Sequence, residues 1–105
     1  MKKTYAMVQV AVALLDDPTG KHWGYQLSKK SGVVSGVLHP ILARMRARGW
    51  LDDGWEDAGD IRSKRPPRRY YVITAAGLRE LDVIRRQAQT EPRFADIFTT
   101  TVEFA

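Results

Sequence analysis

The chain has 105 residues, enough for one domain with its own core and too few for two, and its 44% hydrophobic and 28% charged residues mark it as globular rather than disordered. No stretch approaches the roughly 20 consecutive apolar residues that cross a bilayer, and the absence of cysteine removes disulfides, thiolate metal sites and cysteine nucleophiles together. A net charge of +5 favours an anionic partner.

Thr4 is placed to cap a first helix running to about Leu15. Met7, Val8, Val10, Ala11, Val12, Leu14 and Leu15 leave that helix little polar face, so it should be covered on most sides, in part by a second subunit. Lys2 and Lys3 precede this apolar stretch, but it stops at Asp16-Asp17 and lacks the pattern of a secretory leader, which points to a soluble, cytoplasmic protein. Asp16 to Lys21 carries turn chemistry, and a short second helix is expected from about Trp23 to Gly32, where a residue without Cβ can turn left-handed.

After Val33-Val34 a third helix begins, capped by Ser35 or Gly36 and ended by Gly49. With Gly36 as cap, the missing N–H of Pro40 belongs to the unpartnered first turn; with Ser35 as cap, one bond is lost. Leu38, Ile41, Leu42 and Met45 form its core face, whereas Gly36, Pro40, Ala43 and Ala47 leave the opposite face nearly bare between the flanking Arg44 and Arg46. Trp50 to Trp55 and Arg68 to Thr74 then read as two strands of a long-looped hairpin. Thr74 caps a fourth helix with Leu78, Leu81, Ile84 and Ala88 as its inward stripe. A short helix at Pro92 would put Phe94, Ile97 and Phe98 on one face, and the last residues have no helical preference.

Helix, helix, turn, helix, hairpin is the order of a winged helix-turn-helix: a mainly α fold of three core helices, a two-stranded wing and a C-terminal helix. A bare-faced third helix suits the major groove, roughly 12 Å wide, because bulk there would hold the backbone away from the base edges. Ser35, Gly36, Val37, His39, Pro40 and Ala43 are the candidate groove residues. Arg44 and Arg46 stand where phosphates would pass, and His39 is the best-placed side chain for a base edge. The competing reading of this helix is an ordinary solvated Arg/Ala face.

The hairpin weighs against that reading. Arg62, Lys64, Arg65, Arg68 and Arg69 collect at its loop and second strand around the stiff Pro66-Pro67 pair, with no acid among them, as a wing on a minor groove or the backbone requires. Asp52, Asp53, Glu56, Asp57 and Asp60 should then lie on the side of the wing away from DNA, or pair with the second-strand arginines.

"WGYQL" (residues 23–27), "SGVLHPILARM" followed by "GWL" (35–45 and 49–51) and "RPPRRYYVITAAGLREL" (65–81) together resemble the PadR family of bacterial transcriptional regulators, over roughly residues 4–88. The resemblance implies a homodimer on a palindromic double-stranded DNA operator, usually repressing. It also implies a C-terminal helix for pairing and, in some members, a small aromatic effector between subunits. The chain departs from the family at Val37 and His39, where relatives carry Ser or Thr and then Tyr, and in its short C-terminal segment.

Residues 1–88 thus form the expected DNA-binding domain. Residues 89–105 form a short segment whose Phe94, Ile97, Phe98, Val102 and Phe104 favour packing at or near a dimer interface. Tyr5, Val8, Val12, Leu81 and Ile84 are the other expected dimerisation residues. Trp23, Trp50 and Trp55 are expected first as core anchors, with an effector pocket as the alternative.

No metal or cofactor is expected, since His22 and His39 lie on different elements without a ligand pattern. No enzyme is expected either: the paired acids do not converge, and the serines lie outside any nucleophile pattern. Two alternatives accompany the regulator reading. One is a plasmid or phage DNA-binding protein for segregation, excision or replication control; the other is a winged helix used as a protein-interaction module.

Overall fold

The computed structural model describes residues 1–99; Val102 and Phe104 lie outside the described residues. Helix α1 (Tyr5–Leu15) starts where Thr4 Oγ1 accepts a hydrogen bond from the Met7 N–H at 3.1 Å. It is buried nearly all round, and its cover is intramolecular: α2 (Gly24–Ser31), α3 (Ser35–Ala47), α4 (Ala75–Gln89) and a 3₁₀ turn at Pro92–Phe94 all pack on it. Part of that cover comes from the chain's own C-terminal segment, while Tyr5 stays exposed and Val12 half-buried. Phe94 is 1% exposed, with its ring centroid 6.4 Å from that of Tyr5. A last turn, α5 (Ala95–Phe98), follows.

The link between α2 and α3 is tight and pinned. Gly32 takes φ of +77° and closes α2 through its N–H to the Ser28 carbonyl at 2.9 Å. The Ser28 hydroxyl donates to the Val33 carbonyl at 2.7 Å, and Ser31 Oγ accepts from the Val33 N–H at 3.1 Å. Val33 is thereby drawn into the core while Val34 stays 67% exposed. The N-cap of α3 is Val34, one residue before the expected Ser35 and two before Gly36, so Pro40 forgoes one internal bond and leaves the Gly36 carbonyl without its helical partner. At the other end Gly49 (φ +76°) donates to the Arg46 carbonyl and Trp50 N–H to the Met45 carbonyl, both at 2.9 Å, a Schellman close.

The sheet has three strands where two were expected. β2 (Leu51–Trp55) and β3 (Arg69–Ile73) form the antiparallel wing hairpin, with Leu51 opposite Ile73 and Trp55 opposite Arg69. β1 (His22–Trp23) adds to the free edge of β3, giving the order β1-β3-β2. A strand of two residues carries no readable period, so the sequence offered no signal for it. His22 is buried there, with Nε2 2.7 Å from the Asp17 carbonyl.

Thr74 caps α4 by accepting from the Gly77 N–H at 2.9 Å. The inward stripe begins one residue earlier than expected, since Gly77 is buried and Leu78 is 43% exposed; Leu81 and Ala88 are buried as expected. The reason is a close approach: a Cβ on Gly77 would lie 1.9 Å from the Trp50 carbonyl oxygen, so only glycine lets α4 seat against the start of the wing.

Candidate nucleic-acid interface

Helix α3 divides as its sequence pattern requires. Leu38, Ile41, Leu42 and Met45 are buried, and Ser35, Gly36, Val37, His39, Pro40, Ala43, Arg44 and Arg46 are exposed. Nothing within 4 Å would meet a Cβ on Gly36, so the helix backbone itself is open to an approaching surface there.

The wing stands beside that helix. Arg46 Nε donates to Asp53 Oδ1 and Arg69 Nε to Asp53 Oδ2, each at 2.7 Å, so one carboxylate ties α3 to both wing strands. Hydrogen bonds from Arg69 first, and then from Arg46, hold the Asp53 carboxyl below the usual carboxylate range. Asp53 was expected on the far side of the wing. It faces α3 instead, because strand alternation puts it on the same face as the buried Leu51.

The expected pairing of acids with wing arginines is present at Asp53–Arg69. It recurs in a two-pronged pair in which Arg65 donates to both oxygens of Glu56 at 2.6 and 2.9 Å. The Arg68 backbone N–H reaches Glu56 as well, at 3.3 Å. Arg65 is the first cause of the lowered Glu56 pKa.

Among the described residues, Arg44, Arg62, Lys64 and Arg68 make no ion pair with an acid, whereas Arg46 and Arg65 do. The four unpaired cations are the ones available to phosphate without displacing a carboxylate. Arg48, farther round α3, lies over Trp50 at 5.7 Å.

A cleft of about 410 Å³ joins the helix to the wing; His39 of α3, Tyr25 of α2, and Arg68 and Arg69 of the wing line it together. α2 enters this cleft with no side-chain cap on its first turn. His39 packs against Gly24, its Cε1 3.3 Å from where a Cβ would stand.

Trp23 lines the same cleft while Trp50 and Trp55 do not, so the three tryptophans form no common pocket. Trp50 anchors the core. Trp55 is 65% exposed, with the Arg69 guanidinium 5.9 Å from its ring. Of the paired tyrosines, Tyr71 faces the core and Tyr70 packs edge-on against Trp23 at 5.4 Å. Tyr25 was not among the expected contacts, because it joins the cleft only through the packing of α2 beside the wing; Arg69 was expected as part of the basic wing, but not as the partner of Asp53.

The expected dimerisation residues split. Val8, Leu81 and Phe94 are sealed inside the monomer core and cannot contact another chain while it stays folded. Tyr5 is exposed, and Val12, Ile84, Ile97 and Phe98 are half-buried; Tyr5, Val12 and Ile97 border one surface depression.

A family model described as the transcriptional regulator PadR-like family matches residues 13–83. The chain belongs to the PadR-like family of transcriptional regulators. It is therefore a DNA-binding regulator built on a winged helix. Among solved structures, a PadR family transcription regulator from hypervirulent Clostridium difficile is 19% identical, with 89% of this chain covering 92% of that one at a TM-score of 0.64. A PadR family regulator from Eggerthella lenta is 29% identical, with 74% of this chain covering 69% of that one at 0.58. BpsR of Bordetella bronchiseptica, whose DNA binding is regulated by 6-hydroxynicotinic acid, is 20% identical, with 89% of this chain covering 73% of that one at 0.54. The comparison with curated proteins finds no significant match. No helix among the described residues is long and apolar enough to cross a membrane.

Proposed function

We propose that this PadR-like chain is a cytoplasmic repressor that binds a palindromic operator as a homodimer. In this reading α3 enters the major groove and the Arg62–Arg68 wing follows the minor groove or backbone. The observation that carries it is the shared cleft between His39 of α3 and Arg68 of the wing: one side chain of the small-residue helix and one unpaired wing cation line the same surface. Ser35, Gly36, Val37, Pro40 and Ala43 are then the groove-facing residues, and Arg44, Arg62, Lys64 and Arg68 the first phosphate contacts. Arg46 and Arg65 join them when phosphate displaces Asp53 and Glu56.

Residues 1–88 serve as the DNA-binding domain. Pairing draws on the exposed edges of α1, α4 and the C-terminal segment, at Tyr5, Val12, Ile84, Ile97 and Phe98. A small aromatic effector is the subordinate part of the reading. The cleft combines aromatic walls with two arginines, chemistry suited to a flat anion of the kind that regulates BpsR, and an occupant there would compete with DNA.

The test is gel shift and footprinting on the DNA upstream of the chain's own gene across a salt series. About six phosphate contacts per dimer would give a slope of log K against log salt near −5, from roughly −0.9 per phosphate. One protected palindrome overlapping a promoter is the expected footprint. A flat salt response, or an array of sites away from promoters, overturns the reading.

A further inference from the structure

Several polar side chains on and just after α3 already have contacts within the protein, while Ser35 and Arg44 stay exposed. Arg46 is held by Asp53, Arg48 lies over Trp50, and His39 packs on Gly24 at the edge of the cleft. Beside them the start of the helix also offers hydrocarbon: Val34, at the N-cap, is 67% exposed and Val37, on the flank of the bare face, 45% exposed. Gly36 and Pro40 beside them add no donor side chain.

In the major groove the base edges are largely polar, and the most prominent apolar group on them is the C5-methyl group of thymine, which cytosine replaces with a bare C–H. A valine pressed against guanine O6 and N7 or adenine N6 and N7 would strip water from those atoms and return no hydrogen bond, whereas against a thymine methyl it buries two apolar groups together. The patch is narrow, broken by Gly36 and bounded by the unpaired Arg44, on a chain of net charge +5. That charge pattern complements a duplex rather than an apolar protein groove.

We propose that Val34 and Val37 read thymine methyl groups, so that the bases beneath the start of α3 in each half-site are chosen for thymine while Arg44 holds the adjacent phosphate. This deepens the operator-binding reading and rests on it.

The experiment selects duplexes from a random-sequence pool with the full chain, then remakes the best duplex with deoxyuridine in place of thymine at one position at a time. Binding is followed by fluorescence anisotropy. One or two positions per half-site should weaken about fourfold, the equivalent of the ~0.8 kcal/mol lost with one buried methyl group. Val37→Ala and Val34→Ala should each shrink the penalty at its own position to under about twofold; both residues are exposed, so both variants fold.

If the selected duplex is bound in preference to a scrambled one yet every uridine substitution is silent, the thymine reading is overturned and operator binding stands. If the penalty persists unchanged in the double alanine variant, the assignment to these valines is overturned. If no duplex is preferred, the operator-binding reading fails and this inference fails with it.

Discussion

Replacing Gly36 separates fold stability from DNA reading in one position. A Cβ there meets nothing within 4 Å, so in the free protein Gly36→Ala only narrows the unfolded chain's freedom and favours the helix, a gain of up to about 1 kcal/mol or roughly 4–8 °C in Tm. On DNA the balance reverses. The position lies near the centre of the exposed face of α3, and a side chain there stands between the helix backbone and the base edges. Gly36→Leu is bulky enough to hold α3 off the groove floor; losing one base-pair contact costs about 1–3 kcal/mol, roughly 5- to 150-fold in affinity, for each half-site. Gly36→Ala should fall between wild type and Gly36→Leu. Circular-dichroism melting confirms that both variants fold, and fluorescence anisotropy on a selected duplex reads affinity. A folded Gly36→Leu protein that binds this duplex as tightly as wild type would refute the insertion of α3 into the groove.

Gly77→Ala carries the opposite expectation for stability: with the new Cβ 1.9 Å from a backbone oxygen of Trp50, α4 must shift, a loss of about 1–3 kcal/mol and a Tm lower by roughly 5–20 °C, checked by thermal melting. An unchanged Tm would show that α4 does not need its close seat. Asp53→Asn should release Arg46 and Arg69 and remove a negative charge from between α3 and the wing, tightening binding to nonspecific duplex and steepening the salt slope by about 1–2; anisotropy over a salt series checks this, and unchanged affinity and slope would contradict it. Glu91, bonded first to Lys3 and then to Arg93, is held below its ordinary value of 4.5. Its contribution to stability is therefore present above about pH 4.5 and lost as pH falls through the depressed value. Glu91→Gln should melt below wild type at neutral pH, with the two melting curves converging as pH falls through the depressed value.

Much of this molecule is set by short-range rules. Thr4 and Thr74 cap the helices they precede, Gly32 and Gly49 end α2 and α3, and the alternation of Leu38, Ile41, Leu42 and Met45 with small residues divides α3 into core and open faces. Each of these depends on residues within about one helical turn, so the sequence alone determined them. Tertiary structure decided what depends on chain-distant partners. β1 exists because the edge of β3 was free to pair with two residues carrying no period of their own. The register of α4 follows from a backbone carbonyl 27 residues before Gly77, at Trp50, rather than from the nearest leucine. Arg46 and Arg65 differ from Arg44 and Arg68 because strand pairing turned Asp53 toward α3 and Glu56 toward the wing loop. Phe94 fills its own chain's core because α4 returns it to α1. Helix caps and amphipathic periods are local energies, whereas the charge left free for DNA is settled by which distant backbones meet.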